Sequence, residues 1–236
     1  MAVIAILNRS KADDAEVAFA AAACDLQLRR DFVPIWGDYC HYQPVQFYSD
    51  AKDLPVASGI ALLCTIVDQL DDPTAAAYHS VKGVPMIEIG YGSGELSVLL
   101  SHEITEESVD PLCMLTRMLP GGQRGALEVC DPVEGWAYPI TVEVLGETRS
   151  VSVSAFVTPA WFNDSLSGPT FFAPGYARDL APGELAEGGY LPVVGLDGVW
   201  TDLWGPDVSA EAMAAKAVKH AAVTARASRR RWVIVG

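Results

Sequence analysis

LSHEITEESVDP, residues Leu100 to Pro111, reads as one helix closed by its proline. A helix turns by about 100° per residue, so Glu106 falls about 40° round from His102, Asp110 about 80° and Cys113 about 20°. These four share a stripe if the helix runs that far, and Glu103 stands to one side of it. His102 and Glu106 are one turn apart, about 6 Å along the axis, so their side chains can converge on a single ion. Asp110 is about 12 Å from His102 along a straight helix, too far to share that ion.

This is the layout H-E-x-x-H of a zinc-protease helix, in which residues i and i+4 hold the metal and the glutamate beside the first ligand polarises water. Here Glu106 stands where the second histidine would. A third ligand has to come from elsewhere in the chain. The cluster Glu128, Cys130, Asp131 and Glu134 follows a turn that can return the chain beside the helix, and Asp131 is the expected ligand, with Glu128 second. In a catalytic site Glu103 acts as general base toward water, and His79 or Tyr78 steadies the oxyanion. The zinc-protease layout makes zinc the expected ion, and because one nitrogen and two carboxylates form a hard donor set, calcium or manganese is the alternative. The competing reading is a solvated charged face with Glu103, Glu107 and Asp110 at its polar end and no metal, His79 being an ordinary loop or core histidine.

Composition bounds the rest. At 236 residues, half of them apolar, the chain can bury a full core as one domain. Thirty acidic against sixteen basic residues give a formal charge of −14, which repels nucleic acid and anionic lipid. From Ser209 onward Lys216, Lys219, Arg226, Arg229, Arg230 and Arg231 face a single acid, Glu211, so the body alone carries about −19. That division sets a domain at 1–206 apart from a basic helix and tail at 207–236, which is suited to docking on an acidic protein surface or on another copy of the chain. The five cysteines (Cys24, Cys40, Cys64, Cys113, Cys130) contain no CxxC pair and read as mostly reduced, which favours an intracellular setting; an approach of Cys113 to Cys130 is the alternative. MAVIAILNRS lacks the basic start of a signal peptide, and no segment has the roughly 20 apolar residues of a membrane span.

In order, Ala2–Leu7 reads as a buried strand, and Ser10 or Asp13 caps an alanine-rich helix running to about Arg30. FVPIWG (32–37) reads as an edge or turning strand because Pro34 cannot donate to a ladder. A partly alternating aromatic stretch (39–50) precedes a central strand in GIALLCTIVDQ, a loop with one helical turn in DDPTAAAYHSVKGVP, and a strand in MIEIGYGSGELS. After the organising helix, MLTRMLPGGQRG reads as a helical remnant and a glycine turn. YPITVEVLGETRSVSVSAFV reads as a hairpin. Residues 163–206 are loop-rich with short strands at YLPVV and VWTDLW, and Ser209 caps a last helix that precedes WVIVG.

Four landmarks, in order, resemble a metallopeptidase-related family of zincin-like bacterial and tailed-phage proteins. They are ILNRS with RRDFVPIWG, the YHS segment around His79, the SHExxE…DP helix, and EVCDPVEG followed by VSAFVTPAWF. With GGYLPVV and DGVW they span roughly residues 3–202. The resemblance implies a zincin-like α+β fold, a small mixed sheet packed on an active-site-type helix. The functions to expect are a metal-dependent peptidase or, alternatively, a non-catalytic virion or assembly protein that uses a degenerate zincin fold as scaffold. Either would work in the cytoplasm of a host cell or in a virion.

Overall fold

A computed structural model describes residues 2–71, 77–81, 85–112, 114–210, 213, 233 and 234. In chain order the elements are β1 (Val3–Arg9), α1 (Asp14–Gln27), a π-helical turn (Leu28–Phe32), α2 (Val33–Trp36), β2 (Val45–Tyr48), β3 (Ile60–Val67), β4 (Ala77–Val81), β5 (Pro85–Gly90) and α3 (Leu96–Val109). There follow β6 (Leu115–Met118), β7 (Arg124–Ala126), β8 (Ala137–Val144), β9 (Glu147–Ser154), β10 (Phe156–Val157), α4 (Pro159–Phe162), β11 (Phe171–Phe172), β12 (Tyr190–Val194), β13 (Trp200–Trp204) and β14 (Val233–Ile234). The chain is of mixed α+β class. It forms two compact units, Met1–Leu112 with Ala137–Ser154, and Cys113–Trp136 with Ala155–Gly236. The boundary drawn from charge at 206/207 is a different division, inside the second unit.

The first unit is built on a five-stranded sheet in the order β2-β1-β3-β5-β4, parallel except for β4, which runs antiparallel to β5 at the edge. Val3 to Leu7 are all buried, which is why β1 reads as an unbroken apolar run: a central parallel strand is covered on both faces. In β3 the buried apolar positions alternate, Leu62, Cys64 and Ile66. Asp13 caps α1 by accepting from the Ala15 N–H at 3.0 Å. The small buried residues Ala20, Ala21, Ala23 and Cys24 allow α1 to pack closely on α3. The β8–β9 hairpin packs on both helices, and α3 packs against β5 and β4.

Two expectations fail in this unit. Residues 32–36 are helical rather than a strand: the π-helical turn carries α1 onward, and Pro34 falls in the first turn of α2, where no N–H is required of it. Phe32 and Trp36 are fully buried there, with ring centroids 6.2 Å apart. Residues 77–81, expected in a loop, form the edge strand β4. The π turn is fastened by a polar chain that runs from the exposed Arg30 into the interior. Arg30 makes a bidentate pair with Asp31 (2.6 and 2.7 Å), the Tyr138 hydroxyl donates to Asp31 at 2.9 Å, and the Gln27 amide donates to the Ser154 carbonyl at 2.7 Å.

In the second unit, β13-β12-β7-β6-β14 form a sheet that is antiparallel except for β14, which lies parallel to β6. The expected helical remnant at 114–118 is therefore a strand: β6 and β7 pair across Gly121 and Gly122, whose φ values of 101° and 88° suit glycine. The strands expected at YLPVV and VWTDLW are β12 and β13. The Met213 N–H donates to the Ser209 carbonyl at 2.9 Å. The remainder of the expected C-terminal helix, with Arg229–Arg231, lies outside the described residues. Among the described residues no helix is long and apolar enough to cross a membrane.

Candidate metal centre

The helix α3 supplies the first part of the site. Leu96, Leu100 and Ile104 form its apolar stripe and are buried, as the i, i+4, i+8 spacing requires. Its hydroxyls are satisfied locally: Thr105 Oγ1 donates to the Ser101 and His102 carbonyls (2.9 Å each), and Ser108 Oγ donates to the Ile104 carbonyl at 2.6 Å. Ser101 Oγ donates to the Val98 carbonyl at 3.0 Å and accepts from the Ser154 N–H at 2.7 Å, which pins the middle of α3 to β9.

On this helix His102 Nε2 lies 3.3 Å from Glu106 Oε2, with the side chains 15% and 3% exposed. Their separation is that of two ligands on a tetrahedral ion with bonds of ~2.0–2.1 Å, and also that of an ion pair when the imidazole is protonated. The helix ends at Asp110, whose N–H donates to the Glu106 carbonyl at 2.9 Å.

The acids of α3 do not form a solvated face. Glu103, Glu106, Glu107 and Asp110 are all 5% exposed or less. Holding several carboxylates away from water is costly unless protons, hydrogen bonds or a cation compensate them. Their charge extends to the sheet: the Cys64 thiol on β3 is held well above its ordinary range, chiefly by burial, then by Cys24, Glu107 and Glu103. Cys24 is pushed up in the same way, so both thiols stay protonated and make poor ligands or nucleophiles.

Asp131 belongs to the second unit. It opens a short 3-10 turn, Asp131–Val133, whose Pro132 occupies an early position that needs no N–H. Val129, Cys130 and Val133 are fully buried and anchor the turn, the Ala186 N–H donates to the Pro132 carbonyl at 2.9 Å, and Asp131 itself is 4% exposed. Glu128, the other candidate, is half-buried. Cys130 is buried, as are Cys24, Cys40 and Cys64. Cys113 lies outside the described residues. His79 sits on β4, paired in register with Ile87, and neither its side chain nor that of Tyr78 is among the described ones.

No family model, curated protein or solved structure matches this chain.

The spacing of His102 and Glu106 was readable from sequence, whereas the burial of Glu107 and Asp110 was not. Charged residues near a helix end look solvent-facing until the elements packed around them are known.

Proposed function

We propose that this chain is a zincin-like metal-binding protein in which His102, Glu106 and Asp131 hold one divalent cation, and that it acts as a metal-dependent peptidase. The observation that carries the reading is the pair on α3, where His102 Nε2 lies 3.3 Å from the buried Glu106 Oε2, the separation of two ligands on one ion. Support comes also from the mixed sheet packed against α3 and from the excess of buried carboxylate on that helix, which a divalent ion would offset. One imidazole and two carboxylates suit zinc, and their hardness leaves manganese or calcium as competitors.

A bound ion supplies polarisation of a peptide carbonyl and acidification of water. Glu103, next to His102 and buried, would take the proton of the attacking water and deliver it to the leaving amine. His79 on β4, a strand packed against α3, is the candidate for steadying the oxyanion. The second reading, an assembly protein that keeps the fold as a scaffold, is favoured by Glu106 itself, because an anionic donor in place of a second imidazole weakens the ion as a Lewis acid. A partner would then dock through the basic tail.

Metal content by mass spectrometry, on protein purified without chelators, tests the proposal. One ion per chain is expected, lost in both His102→Ala and Asp131→Asn while circular dichroism stays unchanged. A metal-free wild-type protein that takes up no ion on exposure to zinc or manganese contradicts it. Peptide hydrolysis abolished by Glu103→Gln then separates the peptidase from the scaffold, which would keep its metal and cleave nothing.

A further inference from the structure

Within the first unit a cleft of about 180 Å³ opens between the start of α1, the start of α3 and β9. This is well below the roughly 300–1,000 Å³ of sites for drug-sized ligands, so its occupant would be very small. Phe19 and Leu96, both 5% exposed, form an apolar floor. Arg149 lies over the floor with its guanidinium carbon 4.1 Å from the Phe19 ring centroid, and keeps a 2.7 Å pair with Glu147.

Two features mark one end of the cleft for an anionic group. The first turn of α3 has no side-chain cap: Glu95 occupies the cap position without bonding the helix N–H groups. Ser97, in that turn and lining the cleft, is 5% exposed, and its hydroxyl has no hydrogen-bond partner among the described residues. That hydroxyl lines the cleft, where a ligand oxygen could bond it in place of water.

A simple anion is nevertheless a poor fit, because Glu16 and Glu95 also line the cleft. One Glu16 oxygen accepts from the Tyr91 hydroxyl at 3.0 Å, and the other remains available to a cation. An uncapped helix start and a guanidinium on one side, two carboxylates on the other and an apolar floor between them match a single charge pattern. The geometry points to a binding site for a small zwitterion, a free α-amino acid with an apolar side chain. Its carboxylate lies toward Ser97, the α3 N–H groups and Arg149, its ammonium toward Glu16 and Glu95, and its side chain on Phe19 and Leu96. This assignment is independent of the metal centre.

The test titrates the full chain with L-leucine and follows the amide NMR signals, those of Leu96, Ser97 and Val98 above all. Two controls each remove one charge: N-acetyl-L-leucine lacks the ammonium, and L-leucinamide lacks the carboxylate. L-Leucine is expected to saturate these signals one to one at about millimolar concentration or below. Both controls, Arg149→Gln and Ser97→Ala should each weaken binding at least tenfold; Arg149 is exposed, so that substitution leaves the fold intact even if Ser97→Ala does not. No saturable shift up to about 50 mM, shifts confined to residues away from the start of α3, or equal binding of either control would overturn the assignment.

Discussion

One hydroxyl, that of Ser101, fastens the middle of α3 to the β8–β9 hairpin through the Ser154 N–H at 2.7 Å. Ser101 is wholly buried and Ser154 2% exposed, so no water can replace the lost acceptor. Ser101→Ala should therefore destabilise the protein by about 1–3 kcal/mol, the usual cost of stranding a buried donor. Urea unfolding measures it, and a loss below about 0.3 kcal/mol would show that the hairpin is held by packing alone. At this scale the sequence is uneven. His102 and Glu106 four apart on a helix announce their proximity, because helical geometry is local. Ser101 gives no such signal, because its partner lies 53 positions away.

Among the elements, the turn that presents Asp131 depends on a close approach. Gly189 lies so near Pro132 that a methyl group there would run into the Pro132 carbonyl, which already accepts from the Ala186 N–H. Backbone rather than a flexible side-chain end stands in the way, so Gly189→Ala must shift the turn. We expect a loss of about 1–3 kcal/mol, typical of overpacking, together with weaker metal binding than wild type. Calorimetry with a parallel metal titration would check both, and an unchanged metal affinity would mean that the turn does not position the ligand. The elements that sequence identified are those whose pattern is intrinsic: the unbroken apolar β1, the alternating β8, the capped α1. Those it missed took their form from surroundings. β4 exists because β5 offers an edge, β6 because β7 and β14 flank it, and residues 32–36 stay helical because Phe32 and Trp36 are drawn into the core.

For the molecule as a whole, the buried thiols set an alkaline limit. Burial pushes the Cys40 thiol up to about 11 from its ordinary 9.0, and Cys24 and Cys64 are raised further. Each holds its proton more tightly folded than unfolded, so its contribution is complete below pH 9 and is lost as the pH rises through the folded value. Stability should fall above pH 9 by up to about 1.4 kcal/mol per pH unit for each thiol. Denaturant unfolding at pH 7.5, 9 and 10.5 would show this, with a shallower decline in Cys40→Ala between pH 9 and 11. A flat profile would mean that the thiols are solvated. The acidic composition, formal charge −14, could be read from the sequence as a repulsive surface, but part of that charge lies inside the first unit on α3.

The most direct measurement is a visible-absorption titration of metal-free protein with cobalt(II), a spectroscopic stand-in for zinc. A d–d band of tetrahedral intensity is expected that saturates at one equivalent, is displaced by zinc, and is absent in Asp131→Asn and His102→Ala. No band beyond that of aqueous cobalt, or one that persists in both variants, would contradict the metal proposal.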